Sequence, residues 1–397
     1  MPISTVGTSP TNLLADSDRS PSFNRSPALC DRSLRLTVRS VAARAVTSSP
    51  RGRRNPMQVY AIAVHELTIV FVKKIAGPAM QKASNIAASV LGTIGNTPLV
   101  QLTHVLAPHS AQVLVKLESI NPTGSYKDRM ALAMIEGAES RGDLRPGMRV
   151  VEFTGGSTGS SLGMVCATKG YSFVVLSSDA FAKEKLLTMT AFGADLRLVP
   201  SDGGKVTPAL FERFRTEIAK LNAEPNTFWT DQFHNTDALN GYAEIGRELM
   251  EQTGGAIDVF CGAVGTGGML AGVARALRAG GSRARIVALE PSESPAMTAG
   301  RGGAHRVEGI GTGSIPPHMS GRPYDEARTI DEAVGRHMAR RLAREEGILV
   351  GTSSGLNVAG AVAMAQELGP GKVVVTVAVD SGLKYLAGDL FESPQHE

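Results

Sequence analysis

The sequence predicts an α/β fold, built of parallel-rich twisted sheets with helices on both of their faces. Three observations carry this. From about residue 84 onward, short apolar runs of strand length alternate with longer helix-periodic segments, the pattern of successive βαβ units. Several of those runs lead into a glycine-rich loop that opens the next helix. The chain is 42% hydrophobic and 20% charged over 397 residues, the balance of a globular protein long enough for one large core or two linked ones.

The elements follow in order. Residues 1–56 are rich in Ser, Arg and Pro with little apolar periodicity, so they read as disordered. Their composition resembles an organellar transit peptide. A start codon assigned too early, with Met57 or Met80 as the true start, is the favoured rival, because no convincing amphipathic helix is present. Residues 57–72 form an apolar run interrupted by His65 and Glu66, which reads as a loosely docked helix. Residues 1–87 as a whole are therefore expected to be a disordered or mis-called extension. Ile94–Val100 is a turn leading into a strand, and Val113–Glu118 is a strand that ends at the loop Asn121–Arg129.

That loop is the most informative stretch. Asn121-Pro122 and Thr123-Gly124 are turn formers, and Pro122 pushes Asn121 out of helical geometry. Ser125 reads as the N-cap of a helix whose apolar positions are Met130, Ala131, Ala133, Met134 and Ile135. Lys127 then lies in the first turn, where the partial positive charge of a helix N-terminus favours the neutral amine. A neutral amine is what Schiff-base chemistry needs, although an isolated Lys-Asp-Arg is far more often a surface charge cluster, so the assignment needs support from the rest of the chain.

Downstream, strand Arg149–Phe153 precedes a glycine-rich loop and helix Ser160–Thr168. Strand Ser172–Leu176 precedes helix Lys183–Phe192, and strand Leu196–Val199 precedes helix Ala209–Leu221. Strand Val259–Cys261 precedes a second glycine-rich loop and helix Met269–Leu277. Strands Ile286–Leu289 and Leu349–Val350, helix Gly355–Glu367 and strand Val373–Val377 complete the series. Residues 291–325 lack periodicity and are long for a plain connection, which suggests a functional segment or lid.

Composition excludes several functions. Cys30, Cys166 and Cys261 give neither a disulfide framework nor metal-ligand spacing, the eight histidines are scattered, and no metal site is expected. No apolar run reaches the length of a membrane span. Nine of the 41 basic residues and three of the 37 acidic ones fall in residues 1–56, which leaves the rest at 32 against 34. That body has no basic footprint for nucleic acid.

Three loops could bind anions through backbone N–H groups at helix N-termini: Thr154–Gly159, Gly262–Gly268 and Gly351–Gly355. Each alone reads equally as a tight strand-to-helix turn. The second approaches a dinucleotide fingerprint with Glu290 beyond it, but the third glycine position, counted from Gly265, is Leu270. One anion loop for a phosphate, another for a carboxylate and a primed lysine suggest pyridoxal phosphate acting on an amino acid.

Four stretches in this order resemble the cysteine synthase/cystathionine β-synthase family of fold-type II pyridoxal phosphate enzymes, whose fold is tryptophan synthase β-like. They are Asn121–Arg129, Gly265–Gly268, Glu346–Gly355 and Asp380–Leu386, and the likeness spans roughly residues 88–392. The resemblance implies that Lys127 carries the cofactor and acts as the base at Cα. Gly265, Thr266, Gly267 and Gly268 would hold the phosphate, and Ser353 would bond the pyridine nitrogen, leaving it largely unprotonated. Thr154, Gly156, Ser157, Thr158 and Gln232 would meet the substrate, and Val307–Gly311 would face the cofactor. It further implies a smaller mobile domain at 126–232, a larger one from 88–125 and 233–392, and a homodimer, while the three cysteines without a disulfide framework point to a reducing compartment, the cytoplasm.

There are departures. Ser157 stands where the family carries an Asn that contacts the cofactor's ring oxygen, and Gly155 where it carries Ser. Met269 replaces a common hydroxyl, and residues 234–237 are atypical. With no regulatory tail after residue 392, a full-length regulated cystathionine β-synthase is not expected. The expected activity is β-replacement on an O-activated L-serine by sulfide or another thiol. The alternatives are β-elimination, as in a cysteine desulfhydrase or serine/threonine dehydratase, and a non-catalytic regulatory homologue.

Overall fold

The computed structural model describes residues 86–204 and 207–392. The readings made for residues 1–85, including the docked helix at 57–72, lie outside the described residues. Ten strands follow in chain order: β1 (Leu99–Gln101), β2 (Gln112–Leu117), β3 (Arg149–Phe153), β4 (Ser172–Ser177), β5 (Asp195–Leu198), β6 (Thr227–Trp229), β7 (Val259–Ala263), β8 (Arg285–Pro291), β9 (Glu326–Ile330) and β10 (Val373–Ala378). They form a six-stranded sheet in the order β1-β2-β10-β7-β8-β9 and a four-stranded sheet in the order β5-β4-β3-β6. Every neighbouring pair is parallel except β1 with β2.

The longer helices are α1 (Lys127–Arg141), α2 (Ser157–Lys169), α3 (Lys183–Ala191), α4 (Pro208–Asn222), α5 (Asp237–Thr253), α6 (Gly268–Ala279), α7 (Glu332–Arg341) and α8 (Thr352–Leu368). The central strands are covered on both faces, which is why they read as near-continuous β-branched runs such as Val-Val-Val-Thr-Val-Ala in β10. No helix among the described residues is long and apolar enough to cross a membrane, and no cluster of His, Cys, Asp or Glu among them could hold a metal ion.

Several expectations need correction. Helix α1 starts at Lys127 with Tyr126 in the N-cap position, not Ser125. Ser125 still helps: its Oγ accepts from the Lys127 N–H at 3.3 Å. Leu349–Val350 is no strand, only a single bridge from Val350 to Ser381. Helix α5 went unread because Gly241 and Gly246 lower helix propensity. A Cβ on Gly241 would lie 2.3 Å from the Arg129 carbonyl, and one on Gly246 would lie 2.7 Å from Ala276 Cβ. Those glycines are spent on close packing of α5 against α1 and α6. Strand β9, Glu-Ala-Arg-Thr-Ile, is a charged edge strand without alternation. Helix α7 follows it at once, capped by Asp331 accepting from Ala333 and Val334 N–H groups.

A buried charge cluster joins β2, α1 and α5. Arg129 donates from Nε and Nη2 to Glu118, each at 2.7 Å, and from Nη1 to Glu248 at 2.6 Å. Lys116 Nζ reaches Glu248 at 2.6 Å and the Thr97 carbonyl at 2.6 Å. Arg129→Met would leave the fully buried Glu118 without its cation. We expect a loss of about 3–5 kcal/mol, read from the urea midpoint. A loss under about 1 kcal/mol, the range of an exposed pair, would contradict this assignment.

Candidate active site

Both sheets change winding direction near their middle. The chain runs outward from β3 to β4 and β5, then returns to β6 on the other side of β3. It likewise runs from β7 to β8 and β9, then returns to β10 on the other side of β7. Crevices form outside the carboxyl ends of strands at such switch points. The loop Thr154–Gly159 and the segment Thr230–Gln232 leave the first pair of strands. The loop Val264–Gly267 and the segment Val379–Ser381 leave the second.

Lys127 opens α1 close to both. Ser125 bridges Asp380, and the Thr123 hydroxyl lies 3.2 Å from Ser161 Oγ on α2. The Lys127 amine lies 5.1 Å from the ring centre of Tyr126 and 5.9 Å from that of Tyr242. Tyr242 in turn packs against Gly268. Burial lowers the Lys127 amine to about 8, against the attraction of Asp380 and Glu152. A lysine so tuned is neutral far more often at neutral pH than a solvated one.

The second glycine loop is built for close approach. Gly267 has φ +83, and a Cβ on Gly265 would lie 2.2 Å from the Gly309 carbonyl oxygen. The Gly311 N–H donates to the Val264 carbonyl at 3.0 Å, so the segment Val307–Gly311 lines this loop. The residues Gly265, Thr266, Gly267 and Gly268 are buried. Among the described residues, the N–H groups of Gly265, Thr266 and Gly267 have no protein acceptor. Such donors at the start of α6 suit a phosphate.

The first loop has the same character. At the start of α2 the N–H groups of Gly155, Ser157 and Thr158 have no protein acceptor among the described residues, whereas Gly156 donates to Thr154 Oγ1 at 3.2 Å. The Thr158 hydroxyl donates to Gln232 Oε1 at 2.8 Å, which joins two residues far apart in sequence. Lys384 Nζ reaches Ser157 Oγ at 3.3 Å. Ser353, in the first turn of α8, is buried, and its hydroxyl has no protein partner among the described residues. Its neighbour Ser354 has a structural task instead, accepting from the Val379 N–H at 2.9 Å.

Four nearby groups received no role from the sequence, although Asp380 and Tyr385 lie in the resembling stretch Asp380–Leu386. Buried Lys185 on α3 pairs with Glu308, and its amine lies 4.4 Å from the Tyr385 ring centre. Tyr385 donates to Asp380 Oδ2 at 2.8 Å. Asp380 Oδ1 is buried without a hydrogen-bond partner, and burial raises the carboxyl pKa. Glu152, at the end of β3, is fully buried. For Glu152 the available signal was a charged residue in an otherwise apolar strand end.

The donor sets fit pyridoxal phosphate: an amine of lowered pKa, a loop of free N–H groups for the phosphate and a free hydroxyl at Ser353. Comparison with known proteins agrees. A family model described as "Pyridoxal-phosphate dependent enzyme" matches residues 90–380. A cysteine synthase of Staphylococcus aureus is 40% identical over 300 residues, covering 75% of this chain and 95% of that protein. The crystal structure of a cysteine synthase from Entamoeba histolytica superposes with TM-score 0.73 at 32% identity, covering 79% of this chain and 94% of that one. That of an O-ureido-L-serine synthase gives TM-score 0.71 at 35% identity, covering 79% and 97%. A lysine of lowered pKa beside two glycine-rich loops with free N–H groups, on this fold and with these relatives, means that the chain belongs to the pyridoxal-phosphate dependent enzyme family, among its cysteine synthase-like members.

Proposed function

We propose that the protein catalyses β-replacement on an O-activated L-serine such as O-acetyl-L-serine, exchanging the β-substituent for sulfide or another thiol to give L-cysteine or a related amino acid. The observation that carries this reading is the Lys127 amine, lowered to about 8 at the start of α1 between two loops of free N–H donors.

Lys127 would hold the cofactor, Gly265–Gly268 its phosphate, Ser353 its ring nitrogen and Ser157 its ring oxygen. Bound there, pyridoxal phosphate supplies the electron sink that acidifies the Cα–H of an amino acid. The protein's own groups do the rest. The free N–H groups of Gly155, Ser157 and Thr158, in the loop Thr154–Thr158, take the substrate carboxylate, and Gln232 fixes Thr158 from the other side. Lys127, neutral once displaced, removes the Cα proton and later returns it. The β C–O bond breaks with departure of the activating group, acetate in the case of O-acetyl-L-serine, and a C–S bond forms at the β-carbon from hydrosulfide or thiolate. Closure of a smaller domain, 126–232, on a larger one, 88–125 with 233–392, would exclude water. The reading includes a homodimer in the cytoplasm.

A second reading, β-elimination without replacement, is favoured by one feature. Ser157 is shorter than an asparagine, so its hydroxyl reaches a ring oxygen less readily than an amide would. Products separate the two: L-cysteine from O-acetyl-L-serine plus sulfide supports replacement, and pyruvate without thiol incorporation supports elimination.

Lys127→Ala should lower turnover by about 10³-fold or more while the protein remains folded by circular dichroism. Turnover within about threefold of the parent would sink the assignment. In the cofactor-free protein, acylation of Lys127 should rise with pH to half its maximum at about 8. Solvated lysines, by contrast, should need a pH near ~10.4. Mass spectrometry of the modified peptides reads this. A Lys127 profile parallel to that of surface lysines would contradict the lowered pKa.

A further inference from the structure

Glu152 carries four hydrogen bonds, and every one is donated to it. Oε1 accepts from the Phe153 N–H at 2.9 Å and from Trp229 Nε1 at 3.3 Å. Oε2 accepts from the Thr230 hydroxyl at 2.6 Å and from the Gln232 N–H at 3.0 Å. An ionised carboxylate is an acceptor only and suits this set, while a protonated one would turn a hydrogen toward a donor. The side chain is fully buried.

Those bonds do more than fill a core. They tie the end of β3 to the segment after β6, on the two sides of the switch point. Gln232 is suspended there by its N–H to Glu152, its Nε2 to the Phe153 carbonyl at 3.2 Å and its carbonyl toward His318 Nε2 at 3.3 Å. What remains is its Oε1, which accepts from Thr158. We propose that Glu152 is a positioning residue of the substrate-carboxylate subsite: its carboxylate holds Gln232 against Thr158 and so shapes the loop Thr154–Thr158. This rests on the assignment of that loop to the substrate carboxylate.

The arrangement makes the subsite pH-sensitive. Burial pushes the Glu152 carboxyl up to about 7, against the hydrogen bonds from Thr230, Phe153, Gln232 and Trp229. As pH falls through that value the carboxylate takes a proton, the neutral carboxyl no longer satisfies all four donors, Gln232 is held less firmly, and substrate affinity falls. Other charged groups face the same region. Lys127 on α1 is attracted by Glu152. His318, within the segment 291–325, is held below its ordinary value by burial. Asp231 and His234, paired at 2.9 Å, follow β6.

Trp229 is the sole tryptophan of the chain, so the carboxylate has a built-in reporter. The experiment compares the holoenzyme with its Glu152→Gln variant by tryptophan emission across about pH 5.5–8.5, with KM and kcat for O-acetyl-L-serine measured in parallel. We expect the parent emission to titrate near pH 7 and the variant emission to be flat. We expect KM to rise about tenfold in the variant with kcat within about twofold, and to lose its rise at low pH. His318→Asn should keep the emission titration, which assigns it to Glu152. Should Glu152→Gln fail to fold, Thr230→Val removes one donor and should move the emission midpoint upward. An unaltered titration in Glu152→Gln, or an unmoved midpoint in Thr230→Val, overturns the proposal. A matching titration with KM unchanged also overturns it, and Thr158→Val then locates the fault. If Thr158→Val likewise leaves KM unchanged, the assignment of the loop to the substrate has failed. If it raises KM, the loop stands and only the role of Glu152 is lost.

Discussion

Arg129 grips two carboxylates at once, and the candidate site depends on that grip. Glu118 lies where β2 ends, and Glu248 lies in α5. The planar guanidinium satisfies both in forked geometry, which a lysine could not do. The three residues that open α1 point three ways. Lys127 turns to the tyrosine rings, Asp128 accepts from the Thr123 N–H at 2.8 Å and the Ser161 hydroxyl at 2.6 Å, and Arg129 reaches back to the charge cluster. A lysine whose helix is pinned on both flanks cannot wander, and its amine stays in a desolvated place.

The same desolvation organises the chemistry around it. It lowers the amines of Lys127 and Lys384 and raises the carboxyls of Asp380 and Glu152. Groups displaced in opposite directions toward neutrality exchange protons readily near physiological pH. Lys185 and Glu308 join α3 to the segment lining the phosphate-type loop, so charge also links the residues around the two sheets.

Much of this was legible in the sequence. The valine-rich strands announced themselves because both faces are covered, and the loops did so through their glycines. Strand β3 has the bounds expected for it. What escaped was decided by tertiary packing. Gly241 and Gly246 argue against a helix locally, yet they let α5 lie close to α1 and α6. Gln232 was found through its family-like setting, but nothing local to it points to Glu152, 80 residues earlier, as its support. Lys185 and Tyr385 meet across 200 residues. Ser125 keeps a capping-type hydrogen bond although the helix begins one residue later than its cap would require, because Tyr126 is held at the Val379 carbonyl.

Three lysines crowd this site: Lys127 and the two that touch its edge, Lys185 and Lys384. Borohydride reduction of the holoenzyme, followed by peptide mapping, tests the central claim most directly, because it makes the lysine–cofactor linkage permanent. The account predicts a single pyridoxyl adduct, on Lys127. An adduct on Lys185 or Lys384, or none in protein that holds the cofactor, would contradict it.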